Sequence, residues 1–387
     1  MDTSGSDPAR VVLVHDWLTG TRGGEKCLEP LCRRWPDARL LTLIHKKGTV
    51  PPAVEQTRIQ PSFLNALPKV ERYYRYLLPL MPFAAGWKVT DARLVVSLSH
   101  AVAKSAQAPP GVPHVCYCFT PMRYAWHMRD AYFRRTGLVS KLKARAVDAL
   151  LGRIREWDRR TASRVTHFVA ISNAVRDRIR DCYDRAADVI YPPVDTDFYT
   201  PNDAPREDFY LVVSALAPYK RFDLAIEACR KLGKRLVVIG SGQHLAKLKA
   251  LGSAGVSFLG WQPDEVIRDH LRRAKALLFP GEEDFGIVPL EAQACGCPVI
   301  GFARGGLLET VRPLGPGNEP TGVFFTEQTV DAATSAIERF ESERDRFDPR
   351  AARRQAVLFR KERFVQEING YLDNVLRAAP TETRRAA

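Results

Sequence analysis

The stretch FPGEEDFGIVPLEAQACGCPVIGFARGGLLETV, residues 279–311, carries two carboxylates eight positions apart, Glu283 and Glu291, with Gly286 between them. An apolar run ends near Pro280, which puts Glu282, Glu283 and Asp284 on a strand-end loop. Pro289 suits the first turn of a following helix, and Glu291 is expected in that same turn. The two acids would then face one ligand from two sides. Gly286 would let the backbone N–H groups of Phe285 to Ile287 approach that ligand. Acids beside a helix N-terminus also serve as partners of the helix dipole. That alternative leaves the coincident glycine and proline punctuation without a purpose.

Other stretches offer complementary chemistry. In VSALAPYKRFD, Ser214 ends a strand, and Lys220 and Arg221 open the next helix. A helix N-terminus disfavours cations, so two of them there point to a ligand such as a departing diphosphate. In GTRGGEKC, Gly20, Gly23 and Gly24 lie between the first strand and its helix. Glycines there let the backbone reach a diphosphate, although an ordinary strand-to-helix turn favours glycine too. LVVIGSGQHL holds Gly240 and Gly242, but Leu245 takes the third fingerprint position, which makes it weak evidence for NAD. Asp195-Thr196-Asp197 resembles a metal-chelating Asp-x-Asp, yet it follows two prolines in a linker and lacks further oxygen ligands. No metal site is expected. The eight cysteines, including the Cys116/Cys118 and Cys295/Cys297 pairs, read as buried reduced thiols rather than a zinc site.

Positioning these residues requires strands that end where they begin. RVVLVH, ARLVVSLS, HVCYCF and RVTHFVAIS read as strands in the first half, with Ser172 and Asn173 capping the helix AVRDRIRDCY. In the second half DFYLVVSAL, RLVVIGSG, VSFLG, KALLFP and PVIGF alternate with amphipathic helices. This alternation predicts α/β architecture with parallel sheets built from βαβ units. The Pro- and Asp-rich segment Val189–Asp208 reads as the linker between two such sheets. The expected division is residues 1–193, residues 194–362, and a C-terminal helix and tail over 363–387 that packs back towards the first domain. Ligands of such sheets bind beyond the carboxyl ends of the strands, which for two facing domains means the cleft between them.

At 387 residues, with 45% apolar and 26% charged positions, the chain has the composition of a two-domain globular protein. Its longest apolar stretch, Tyr76–Trp87, falls short of the ~20 residues that span a bilayer. The N-terminus has no signal-peptide pattern, so a cytoplasmic location is expected. The net charge of +14 belongs wholly to the first half: through Pro193 there are 31 Lys+Arg and 17 Asp+Glu, and beyond it 27 of each. That asymmetry points to an anionic partner, nucleic acid or a phosphate-rich membrane surface, with a merely solubilising surface as the plainer account. No nucleic-acid recognition motif accompanies the charge, so no nucleic-acid partner is expected. Ser62–Lys88 interleaves aromatics, leucines and basic residues, and Arg134–Arg160 has 9 basic against 3 acidic residues. Both suit an interfacial surface on anionic lipid, and ordinary amphipathic helices would show the same pattern.

Taken together, EEDFGIVPLEAQACGCPVIGFARGGLLETV, VSALAPYKR, FVAISNAVRDRI, VIYPPVDTDFY and SFLGWQP resemble the signatures of family 4 retaining glycosyltransferases. RVVLVHDWLTGTRGGEKCLE and CYCFTPMRYAW resemble a bacterial subgroup of mannosyltransferases that builds surface polysaccharides. The resemblance covers roughly residues 10–375. It implies a GT-B fold, two Rossmann-like domains facing across a cleft, and a nucleotide-sugar co-substrate, GDP-mannose, with no other cofactor. It implies a polyprenyl-diphosphate-linked saccharide as acceptor, at the anionic inner face of the cytoplasmic membrane. Carried over by motif, Glu283 would bind sugar hydroxyls and Phe285, Gly286 and Ile287 would touch the same sugar. Glu291 would hold the ribose. Lys220, Arg221 and Ser214 would line the diphosphate site, supported by Gly23 and Gly24. Arg123 would remain as a cleft cation on the acceptor side, and His15 and Asp16, which end the first strand, would face the acceptor, with a structural histidine at 15 as the equal alternative. Glu283 and Lys220 would carry catalysis, with front-side attack and no protein nucleophile. Two positions depart from the pattern. Ala215 stands where many relatives carry Arg, and Phe119 where relatives tend to have His.

Overall fold

The computed structural model describes residues 10–123, 125–126, 141–252 and 254–379. The chain forms two compact units. The first runs up to Ile190 and takes up the chain again from Val365; the second is Tyr191–Phe364.

The first unit is built on seven parallel strands: β1 (Val11–His15), β2 (Arg39–Thr42), β3 (Arg58–Pro61), β4 (Leu94–Ser99), β5 (His114–Cys118), β6 (His167–Ala170) and β7 (Ala187–Val189). Their order is β3-β2-β1-β4-β5-β6-β7, so the winding direction reverses between β1 and β4. The central strands VVLVH, LVVSLS and HVCYC are buried along their whole length, as strands covered on both faces must be. The short strands β2, β3 and β7 escape sequence reading: β2 has four residues, the edge strand β3 is largely exposed, and the edge strand β7 alternates too briefly to show a period. The helix Lys361–Ala378 docks on this unit. Arg34 bonds Asn369 Oδ1 at 2.9 Å and pairs with Asp373, and Tyr371 donates to Asp188 at 2.9 Å.

Ser62–Lys88 is not an amphipathic helix. It forms 3₁₀ turns over Phe63–Ala66, Val70–Arg72 and Tyr74–Leu80 and a single helical turn at Met81–Ala84. Pro79 and Pro82 each remove an N–H that a continuous helix needs. Leu64, Val70, Tyr74, Leu78 and Met81 face a core shared with Trp17 and Leu151. The basic segment is helical over Lys141–Ala162, and residues 134–140 lie outside the described residues. This helix is anchored by Asp158, fully buried, which accepts from Lys104 Nζ at 2.5 Å, Trp126 Nε1 at 2.9 Å and the Tyr183 hydroxyl at 2.7 Å.

The second unit has six parallel strands: β8 (Tyr210–Val213), β9 (Leu236–Ile239), β10 (Val256–Gly260), β11 (Ala276–Phe279), β12 (Val299–Phe302) and β13 (Gly322–Phe325). Their order is β10-β9-β8-β11-β12-β13, with the reversal between β8 and β11. Both sheets are Rossmann-like. Val189 closes β7 and Ile190 N bonds Ala170 O at 3.0 Å, so the Pro-rich linker begins inside the first sheet. All eight cysteines are free and buried.

Candidate functional site

The densest group of expected residues lies at the carboxyl ends of β8 and β11, where the second sheet reverses. Ser214 directly follows β8. Three residues of 3₁₀ helix, Pro218–Lys220, then bring Lys220 back over the sheet. Its ammonium pairs with Glu283 Oε1, and the two side chains are 10% and 14% exposed. The rings of Tyr219 and Phe279 lie 5.3 and 5.7 Å from Lys220 Nζ. The structure therefore joins the expected sugar acid and the expected diphosphate cation as a largely desolvated ion pair. Such a pair holds together only while both partners are present. Arg221 sits in the left-handed region at φ 52° and opens the helix Phe222–Lys231. Its guanidinium is bound to Asp223 at 3.2 Å, so its charge is shared within its own first turn.

The glycine pair Gly305-Gly306 explains how the acidic loop is seated. Gly306 N donates to Glu283 O at 2.9 Å. A Cβ at Gly306 would lie 2.4 Å from Phe285 Cα, and one at Gly305 only 2.1 Å from Glu283 O. Backbone packs on backbone there, and no larger residue fits. The Gly240–Gly242 pair does the same for the neighbouring loop. A Cβ at Gly240 would fall 1.9 Å from Ser214 O, and one at Gly242 2.5 Å from Leu216 O. Its glycines thus serve the packing of β8 against β9, which accounts for the incomplete dinucleotide pattern.

Gly286, at φ 91°, caps the helix Ile287–Ala294. Pro289 is the third helical residue and Glu291 the fifth. Glu291 thus lies just past the first turn, two residues further along than a helix beginning at the proline would put it, because the helix starts at Ile287. It is buried, and its charge lies near Tyr199, whose phenol burial pushes up and Glu291 raises further. Phe285 points inward, 2% exposed, and only its backbone and that of Gly286 and Ile287 remain to meet a ligand.

In the first unit, His15, Asp16, Gly24, His100 and Phe119 gather at the ends of β1, β4 and β5. Helix Gly23–Arg34 begins against His15: a Cβ on Gly24 would lie 3.1 Å from His15 Nε2 and 3.5 Å from the Phe119 ring. Gly23 is the first residue of that helix, and Glu25 accepts from Arg22 N at 2.9 Å to close its first turn. His15 Nδ1 faces Trp17 O at 3.0 Å. A carbonyl can only accept, so Nδ1 carries the proton and buried, unpartnered Nε2 is left as an acceptor. Burial lowers the His15 pKa against the opposing charges of Glu25 and Asp16, which keeps the ring neutral.

Asp16 does not face an acceptor. It is fully buried, and its two oxygens accept from His100 N, Ala101 N, Val102 N and Ala103 N at 2.6–3.0 Å. His100 Nδ1 adds a fifth contact at 3.0 Å. Four backbone donors and a ring use up the lone pairs of one carboxylate, so Asp16 belongs to the scaffold that holds the 100–103 turn. Its beneficiary is His100, which the sequence reading passed over. His100 follows β4, its side chain is 30% exposed, and its ring lies 6.1 Å from Phe119. The available signal was a polar residue directly after the apolar run LVVSLS. Arg123 lies in the turn beyond β5, half-buried. Tyr124 of the same motif lies outside the described residues.

Among the described residues no cluster of His, Cys, Asp or Glu could hold a metal. Asp195 is engaged elsewhere: it accepts from Phe198 N at 3.1 Å and pairs with Lys361.

Two Rossmann-like parallel-sheet domains in one chain are the architecture of GT-B glycosyltransferases, and solved structures of that kind match over nearly the full length. The structure of Anabaena HepE in complex with UDP matches with TM-score 0.66 at 15% identity, covering 94% of this chain and 100% of that one. Sucrose-phosphate synthase from Thermosynechococcus elongatus matches with TM-score 0.69 at 16% identity, covering 95% and 100%. Residues 195–356, which lie within the second unit, match the family Glycosyl transferases group 1. The D-inositol 3-phosphate glycosyltransferase of Mycobacteroides abscessus is 33% identical over 196 residues, 45% of this chain and 41% of that protein. The Mycobacterium tuberculosis protein of the same name is 34% identical over 194 residues, 44% of this chain and 40% of that protein. The match spans about two fifths of those relatives' length.

Proposed function

We propose that the chain is a retaining, metal-independent hexosyltransferase. It would move mannose from GDP-mannose onto a polyprenyl-diphosphate-linked or polysaccharide acceptor at the cytoplasmic face of the membrane, in surface polysaccharide synthesis. The observation that carries this reading is the Lys220–Glu283 pair, held at the β8/β11 reversal on a loop backed by Gly305-Gly306. In the proposed reaction the bond between the sugar C1 and the diphosphate breaks. The acceptor hydroxyl bonds to C1 on the same face, and its proton passes to the departing phosphate oxygen. Lys220 exchanges part of its hold on Glu283 for the diphosphate, whose charge grows as it leaves. Glu283 is thereby freed to accept from sugar hydroxyls and to stabilise the oxocarbenium-like transition state. Glu291 binds the ribose hydroxyls. Ser214 and Arg221 contribute to the diphosphate site, and in the first unit Gly23 and Gly24 open a helix start that suits an anion. In the first unit His100, held by Asp16, presents an imidazole beside Phe119. A UDP-sugar donor is the second reading, favoured by the UDP bound in the HepE structure of the same fold.

Thermal-shift titration against GDP-, UDP- and ADP-sugars tests the donor. A ligand at ~100 times its Kd stabilises the native state by ~2.7 kcal/mol, and GDP-mannose is expected to give the largest shift. Glu283→Ala, Lys220→Ala and Glu291→Ala are each expected to lower turnover by about 10² or more. Near-normal rates in all three variants would refute the site.

A further inference from the structure

Tyr191 is the first residue of the second unit, and its surroundings link it to the acidic loop on two sides. Its ring stacks on Phe285 with centroids 5.7 Å apart and planes inclined by 24°. Phe359 meets both rings edge-on, at 5.2 Å from Tyr191 and 5.7 Å from Phe285. The Tyr191 hydroxyl donates to Glu309 Oε2 at 3.0 Å. Glu309 belongs to the short helix Leu307–Thr310, which directly follows the Gly305-Gly306 pair beneath Glu283. Arg363 closes the far side, donating to Tyr191 O at 2.7 Å and lying 5.7 Å from its ring.

Glu283 is held by Lys220 and by the Gly306 amide, and from there the turn runs through Phe285 and Gly286 to Ile287. Gly286 offers no side chain and occupies a backbone region in which glycine moves freely. Phe285 is the turn's buried apolar anchor, and a stacked pair fixes ring orientation better than unspecific burial does. We propose that Tyr191 is a positioning residue for the donor site. Its ring fixes Phe285, its hydroxyl fixes the helix behind Gly306, and together they set the direction of the Phe285–Ile287 N–H groups and the reach of Glu283. No catalytic contact is assigned to Tyr191. The inference rests on the reading of this loop as the donor site, and its test separates the two.

Tyr191→Phe keeps the ring and removes the bond to Glu309; Tyr191→Leu removes the ring as well. Hydrogen exchange, measured without ligand, reads peptides over 281–291 and 303–310, which include the Gly306 amide bound to Glu283 O. Exchange there is expected to quicken about 3-fold in Tyr191→Phe and about 10-fold in Tyr191→Leu, with β9 and β13 unchanged. The KM for the sugar nucleotide should rise by similar factors, more than kcat falls. Wild-type exchange over both peptides in Tyr191→Phe, together with unchanged donor KM, would overturn the proposal even if Tyr191→Leu failed to fold. Faster exchange spread evenly over the whole second unit would also overturn it, as a stability effect only. A wild-type protein that binds no nucleotide sugar would refute the donor reading, while the exchange data would still decide whether Tyr191 holds the loop.

Discussion

Asp16 shows how far a residue's type can mislead about its task. A carboxylate at the end of the first strand of a Rossmann-like sheet invites a ligand role, but five donors surround it. Burial alone would raise its pKa. The nearby His100 charge and the His100 ring and backbone donors outweigh that and lower it from 3.8 to about 2. A folded-state value below the unfolded one means the ionised carboxylate favours folding. That stability is present above about pH 4 and is lost as pH falls towards 2. The shift corresponds to a contribution on the order of 2 kcal/mol. Asp16→Asn is therefore expected to lower stability at neutral pH by about that amount and to flatten the acid limb of the unfolding curve. Superimposable acid limbs for variant and wild type would contradict the assignment. Lys220 and Glu283 were each visible as candidates in the sequence. Their pairing was not, because they are 63 positions apart and meet only where β8 and β11 become neighbours.

At the level of elements, the strand-loop-helix unit around Glu283 was the most legible part of the chain. The apolar run, the acids, Gly286 and Pro289 all bear on one strand end and one helix start. The two-residue displacement of Glu291 arises because proline is tolerated anywhere in the first turn, so it marks a helix start only loosely. The purpose of Gly305-Gly306 was not legible, since a glycine pair says that space is short without saying what occupies it. The structure names the occupant as the Glu283–Phe285 backbone. Gly306→Ala is expected to cost about 1–3 kcal/mol in urea unfolding, the usual range for overpacking. The cost should be joined by weakened donor binding, since the Cβ would press on the loop itself. A variant with wild-type stability and binding would show that the loop yields without consequence. The 62–88 segment errs the other way. Its apolar spacing suits a helix, but Pro68 and left-handed Lys69 interrupt it between the first two 3₁₀ turns, and Pro79 and Pro82 deny the rest a continuous ladder.

For the molecule as a whole, the uneven charge gains a companion in the structure. The same segment turns Phe63 (64% exposed), Tyr76 (83%) and Phe83 (76%) outward, along with Leu67 and Leu80. Lys69, Arg72 and Arg75 are interleaved with them. Large apolar side chains beside cations suit an anionic lipid interface, and no described helix is long and apolar enough to cross a membrane. Binding to phosphatidylglycerol-containing vesicles is expected, falling steeply as salt screens the basic groups. Replacing Phe63, Tyr76 and Phe83 together by Ser should remove it while leaving the fold intact. Co-sedimentation indifferent to lipid charge, to salt and to this triple change would dismiss the membrane surface.

The α/β class, the acids, cations and glycines at strand ends and the basic character of one half are all legible in the order of the amino acids. These follow from local periodicity and residue chemistry, which neighbours along the chain suffice to express. Which candidates act together depends on the folded chain: Lys220 meets Glu283, Asp16 serves His100, and Tyr191 rests on Phe285. Each of those contacts joins residues far apart in the chain. The order in which parallel strands lie side by side brings them together, and no local pattern encodes that order.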